Sequence, residues 1–224
     1  MHKAIKLLKT HSLRELFLHA LLQLRMQLMR LSSTAIFWIK CHILGIACGR
    51  GAKIWGRIFI ARFPGSEISI GKNVRVVSHP DRYAFNIFPQ SKIRTYSPSA
   101  KVIIGDDVGF NSISIFARSQ VIRIGDKTMI GGNCQIMDSD GHPLWPPDGR
   151  WHYSGTEHDR PVMIGSNVFI GLNVIILKGA QIGDNCVIGA GSVVSGQIPA
   201  CTLASGMPAR VLRRLDEDSA RGAG

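Results

Sequence analysis

The sequence predicts an all-β fold, a parallel β-helix of hexapeptide repeats, with a helical arm before it and a short helix after it. Three observations predict it. Large aliphatic residues stand at Ile164, Ile170, Ile176, Ile182, Ile188 and Val194, one every six residues. Glycine follows most of them, at Gly165, Gly171, Gly183 and Gly189. Four residues after each of the first five comes a small or β-branched residue: Val168, Val174, Ala180, Cys186 and Ser192. A period of six fits neither an amphipathic helix nor a simple alternating strand. It fits a triangular coil of three hexapeptides, with the aliphatic residue inside and the glycine turning the corner.

Length and charge set the boundaries. The 224 residues suffice for one substantial domain and an appendage. Residues 1–62 hold eleven Lys and Arg against the single acid Glu15, a balance of +10. Of the total of +12, only +2 remains for the rest of the chain, so the basicity belongs to the N-terminal arm. No basic residues alternate with stacking aromatics, and no nucleic-acid partner is expected. The five cysteines show no CxxC and no framework spacing. Cys134 and Cys186 occupy small interior slots of the repeat, which suits a reducing, cytoplasmic compartment. The basic start lacks an uninterrupted apolar core ending in a cleavage site, so no cleavable signal is expected.

Taken in order, residues 1–48 form a basic, amphipathic helical arm. Leu13, Leu16, Phe17, Leu21, Leu24, Leu28 and Leu31 share one face of a helix spanning 3–31. Residues 34–48 continue apolar, but Lys40 and His42 interrupt them short of the roughly 18–20 residues of a membrane span. Two readings stand: a cap on the open end of the β-helix or on a neighbouring subunit, and an interfacial helix drawn to anionic lipid. Residues 49–205 form the β-helix. Residues 78–100, with Pro80, Pro89 and Pro98, read as an insertion or a distorted coil. Ile104 restores order, with Phe110 and Phe116 six and twelve residues later, before a two-residue slip leads to Ile124. The segment 138–160 breaks the period completely, and a loop of that length inside a compact repeat is functional or disordered. Residues 206–224 read as a basic C-terminal helix with a frayed tail.

Four blocks then carry a resemblance. They are Asp138-Ser139-Asp140-Gly141-His142-Pro143, the run Pro161 to Gly171, the run Ile188 to Val194, and Gly206-Met207-Pro208-Ala209-Arg210-Val211. Across residues 100–214 the chain resembles the left-handed β-helix acyltransferases, specifically the sugar O-acetyltransferase group. The resemblance implies a left-handed coil, acetyl-CoA as donor, and homotrimers with active sites between subunits. It implies His142 as the general base, a role for which an unperturbed pKa of about 6.5 suits histidine. Asp138 and Asp140 are candidates to orient the imidazole, with turn formation an equal account of both. Asn111 matches a family asparagine facing the site, and a coil corner explains it equally. For the donor, Phe169, Gly171, Ala190 and Ser195 match the pantetheine track, and Arg210 and Arg213 match basic residues near the nucleotide phosphates. Simple-sugar relatives carry an acid shortly after the asparagine, whereas Ile115-Phe116-Ala117 is apolar here. That departure favours a surface polysaccharide, lipopolysaccharide or lipid-linked precursor over a free sugar, amino sugar, serine or antibiotic. His79-Pro80 lacks the downstream hexapeptides, and His152 and His158 read as loop residues able to touch the acceptor. A zinc hydratase of γ-carbonic anhydrase type would need three histidines on regular coils. No metal is expected, and a silent β-helix scaffold is the remaining non-enzyme reading.

Overall fold

The computed structural model describes residues 12–88, 90–152 and 155–215. Residues 1–11, where the predicted arm begins, lie outside them, as does the tail beyond Leu215. The described chain winds as seven stacked coils, one for each strand of the first of three sheets. Sheet A takes Ala47–Cys48, Glu67–Ile70, Lys101–Ile104, Val121–Ile124, Val162–Ile164, Gln181–Ile182 and Gln197–Ile198. Sheet B takes Lys53–Gly56, Arg75–Ser78, Gly109–Asn111, Met129–Ile130, Phe169–Ile170, Val187–Ile188, Thr202–Gly206 and Ala209–Arg214. Sheet C takes Ile58–Ala61, Ser91–Thr95, Ser114–Ala117, Gln135–Met137, Ile175–Ile176 and Val193–Val194. Neighbouring coils pair in parallel and in register, as Ile122↔Val162 and Ile130↔Ile170 do. The predicted parallel β-helix is therefore the fold.

Both repeat slots point inward. Ile164, Ile170, Ile176, Val168 and Val174 are buried, and so are the small fillers Cys134 and Cys186. Each large aliphatic contributes roughly 1.5–3 kcal/mol of transfer free energy. The corners are tight for a backbone reason. A Cβ on Gly171 would stand 2.6 Å from the backbone nitrogen of Ala190 in the next coil. Asparagines at the preceding corners adopt positive φ, 55° at Asn167 and 57° at Asn185, where their short polar side chains are tolerated.

Three sequence readings change. Residues 79–90 are an insertion between Ser78 of sheet B and Ser91 of sheet C, after which the strand Ser91–Thr95 rejoins its register. Phe116 does not fill the interior. The corner after Phe110 is one residue shorter than the regular spacing, so Ile113, Ile115 and Ala117 turn inward and Phe116 faces out against Tyr96. The predicted C-terminal helix is a strand: Ala209–Arg214 pairs antiparallel with Thr202–Gly206. So short a helix would be marginal, whereas the open edge of sheet B offers a full ladder of backbone partners.

Among the described residues the N-terminal arm holds one helix, α1 (Leu13–Ile43), started by a Ser12–Glu15 capping box. Its second half caps the first coil. Thr34 Oγ1 accepts from Ile54 N at 3.0 Å, Ser33 Oγ accepts from Gly56 N at 3.2 Å, and Lys40 Nζ donates to Ile58 O at 2.9 Å. Its own Phe37 and Cys41 are buried against the core. Its first half leaves Leu13, Phe17, Leu21, Leu24 and Leu28 exposed. No helix among the described residues is long and apolar enough to cross a membrane.

Candidate active site

The loop 138–160 leaves the structure at the corner between sheets C and A, between Gln135–Met137 and Val162–Ile164. Its base is closed by Arg160 N donating to Asp138 O at 3.0 Å. Asp138 is fully buried, and its carboxylate accepts the backbone N–H groups of Arg118, Ser119 and Gln120 at 2.7, 3.0 and 2.7 Å. Burial pushes its carboxyl up, and those three donors pull it back. Asp138 thus binds the previous coil and does not orient His142.

Arg118 ties both ends of the loop together. It forms a bidentate pair with Asp159, Nε to Oδ2 at 2.9 Å and Nη2 to Oδ1 at 2.7 Å, and its Nη1 donates to Gly141 O at 2.7 Å. Ser119 Oγ adds a third bond to Asp159 at 2.6 Å. Burial would raise the Asp159 carboxyl, but Arg118 and Ser119 hold it below the usual carboxylate range. Asp159 is 2% exposed, so this is a buried, fully partnered ion pair. Neither Arg118 nor Asp159 was singled out by the repeat or the resemblance.

His142 follows Gly141 directly and is exposed. Its Nδ1 lies 3.0 Å from the carbonyl oxygen of Arg150. A carbonyl only accepts, so this contact requires the proton on Nδ1 and leaves the Nε2 lone pair free. Arg150 is held in turn by its Nη2 donating to Leu144 O at 3.1 Å. Asp140, the other candidate orienter, pairs with Lys178 instead. The loop therefore supplies the orienting acceptor from its own backbone. His152 and His158 are exposed, and His158 pairs with the adjacent Glu157 at 3.1 Å. Among the described residues no cluster of His, Cys, Asp and Glu could hold a metal ion.

The other predicted residues fall on two further sides. Asn111 ends a strand of sheet B and donates from Nδ2 to Ile130 O at 3.1 Å, which leaves its Oδ1 and a second N–H available. No hydrogen bond joins it to His142, which rises from the corner opposite sheet B. Phe169 is exposed on sheet B, and Gly171 and Ala190 stack at the B-to-C corner. Ser195 stands apart from them at the C-to-A corner, after Val193–Val194. Arg210 and Arg213 are exposed on the final strand, opposite Ser205 and Leu203. Cys134 is buried and its thiol is pushed up to about 11 by that burial, so it is no nucleophile.

The chain is similar in sequence and in fold to known proteins. Residues 161–195 match the family model "Hexapeptide repeat of succinyl-transferase". The chain is 34% identical over 122 residues to a galactoside O-acetyltransferase of Escherichia coli, covering 54% of this chain and 58% of that one. It is 31% identical over 128 residues to a putative lipopolysaccharide biosynthesis O-acetyl transferase of Escherichia coli, covering 53% of this chain and 63% of that one. The fold is shared with an N-acyltransferase from Bacillus cereus in complex with dTDP and 3-hydroxybutyryl-CoA. That likeness has a TM-score of 0.60 at 19% identity, covering 82% of this chain and 91% of that one. The chain spans about three fifths of the length of these two curated relatives, 58% and 63%.

Proposed function

We propose that the chain is an acetyl-CoA-dependent O-acetyltransferase of a sugar hydroxyl, a reading supported by the hexapeptide-repeat match over residues 161–195 and by the likeness to the two curated relatives. The acceptor we propose is a surface polysaccharide, a lipopolysaccharide or a lipid-linked glycan precursor. The observation that carries this reading is the 3.0 Å contact between His142 Nδ1 and the Arg150 carbonyl oxygen. With its Nδ1 proton given to the Arg150 carbonyl, Nε2 is a ready base on an exposed loop. In the proposed step Nε2 takes the proton of the acceptor hydroxyl as its oxygen attacks the thioester carbonyl carbon. The carbon–sulfur bond then breaks, and the CoA sulfur receives the proton from Nε2. No acyl-enzyme forms, which agrees with the buried Cys134. Asn111 serves the acceptor or the acyl oxygen through its free amide atoms.

Asn111 and His142 lie on opposite sides of one chain, so a single acceptor meeting both needs two copies. That separation supports the homotrimer with its sites between subunits, each His142 facing a neighbour's sheet B. Phe169, Gly171 and Ala190 would then line the pantetheine arm, with Arg210 and Arg213 toward the nucleotide phosphates and Ser195 contributed from the opposite corner. The free half of α1, apolar with Arg14 and Arg25 beside it, we place at the inner face of the membrane, where a lipid-linked acceptor would be met. The test is release of CoA from acetyl-CoA, measured against free sugars, oligosaccharides and lipid-linked glycans. Turnover with the glycans and little with free sugars is expected. Release with none of them, under conditions where the protein binds CoA, would refute the reading.

A further inference from the structure

Sheet B carries a second feature that the donor track and His142 do not use. Across the first three coils its outward side chains form a cleft of about 430 Å³. Lys53 and Arg75 stand in register on adjacent strands, and Arg82 reaches in from the 79–90 insertion to lie over the Trp55 ring at 5.2 Å. Arg30 enters from α1, and its Nε is buried without a hydrogen-bond partner. Among the described residues no carboxylate lines the cleft, and none of these four cations has an acidic partner. Four cations converging without an anion repel one another and gain from binding one.

The floor of the cleft is Gly109. A Cβ there would meet nothing within 4 Å, and its φ is not in the left-handed region, so neither packing nor backbone conformation demands glycine. A glycine in a strand leaves room for a ligand or another backbone to approach closely, and the space over Gly109 is open. Beyond it, in the same coil, stands Asn111, and the next residue of the column is Met129, in register with Phe169. Sheet B therefore reads in order as cations, glycine floor, Asn111 and donor track.

We propose that this cleft binds the diphosphate ester of the acceptor, with the sugar lying over Gly109 toward Asn111. The inference rests on the acetyltransferase reading and names its substrate class, a sugar linked through a diphosphate. Lys53 and Arg75 are one strand spacing apart, about 4.8 Å, which suits two neighbouring phosphoryl groups better than one. The guanidinium of Arg75 supplies a fork and Lys53 a point charge.

The experiment is calorimetric titration of the whole protein with inorganic pyrophosphate. Binding is expected, and it should weaken roughly tenfold or more in the double variant Lys53→Gln/Arg75→Gln, as loss of charge-assisted hydrogen bonds implies. Gly109→Trp, which fills the floor without removing a charge, should also reduce it. The melting temperature and CoA affinity report that fold and donor site survive. Displacement of pyrophosphate by a nucleotide diphosphosugar, or by a lipid diphosphosugar, confirms the class and names its source. Absence of binding, equal binding by the variants, displacement by neither sugar, or full displacement by acetyl-CoA would each overturn the proposal. His142-dependent transfer to phosphate-free glycans without pyrophosphate binding would sink the cleft and leave the transferase. Pyrophosphate binding by a protein that transfers nothing would do the reverse.

Discussion

Arg118→Met is the perturbation from which most can be learned. It removes the guanidinium that joins Asp159 to Gly141 and leaves a carboxylate that is 2% exposed with its ionic partner gone. Breaking a buried pair from one side costs about 3–5 kcal/mol. The lower end applies here, because Asp159 keeps the Ser119 hydroxyl and can take up a proton. For a domain of this size each kcal/mol moves the melting temperature by about 2–4 °C. A fall of about 6–12 °C at neutral pH is therefore expected, read by circular dichroism. Turnover should fall further than stability alone explains, since the Gly141 carbonyl next to His142 loses its anchor. The pH dependence carries a second check. Asp159 is held below its unfolded value of about 3.9, so its stabilisation is full above that value and is lost as pH falls through the lower folded value. Asp159→Asn should flatten the acid side of the stability curve relative to wild type. Asp138, raised by burial, has the opposite sign, and its contribution changes above about 3.9, outside the lower window in which Asp159 loses its own. A shift under about 2 °C in Arg118→Met, with activity intact, would refute the idea that this pair fixes the loop.

Three further outcomes follow from the same geometry. Asp140→Asn weakens a partly exposed pair with Lys178, so stability should change by at most about 1 kcal/mol and the pH–rate profile should not move; a shifted profile would make Asp140 the orienter after all. Gly171→Ala drives a Cβ to 2.6 Å from the Ala190 backbone and should cost about 1–3 kcal/mol in denaturant unfolding. Cys134→Ala should keep its turnover number per folded molecule and lose only core stability, and an acyl-enzyme trapped at Cys134 by mass spectrometry would contradict direct transfer.

The fold was legible because the hexapeptide period is a covalent fact of the chain. Ile164 to Val194 report their own burial, and the tight stacking behind Gly171 follows from the repeat. What the sequence obscured was non-periodic. Phe116 sat at the right spacing but on the wrong side of a corner one residue short. The basic tail 209–214 reads as a helix by composition, yet the free edge of sheet B decides its conformation. In the site, His142 was visible through its motif. Its orienting partner was not, because that partner is the backbone carbonyl of Arg150 and backbone groups have no sequence signature. Arg118 and Asp159 lie 41 positions apart and belong to no repeat slot, so only folding pairs them. Asp138 reads from sequence equally as an orienter of His142 or as a turn former, and in the fold its carboxylate accepts three amides of the previous coil.

The central claim is that Nε2 of His142 takes the acceptor proton. It is tested most directly by acetyl transfer from acetyl-CoA to a glycan acceptor in wild type and in His142→Ala, with folding and CoA affinity measured in parallel. His142 is exposed, so the variant should fold within about 0.5 kcal/mol of wild type and bind CoA unchanged. Its turnover should fall by about 10²–10⁴-fold. Turnover equal to wild type would contradict the account.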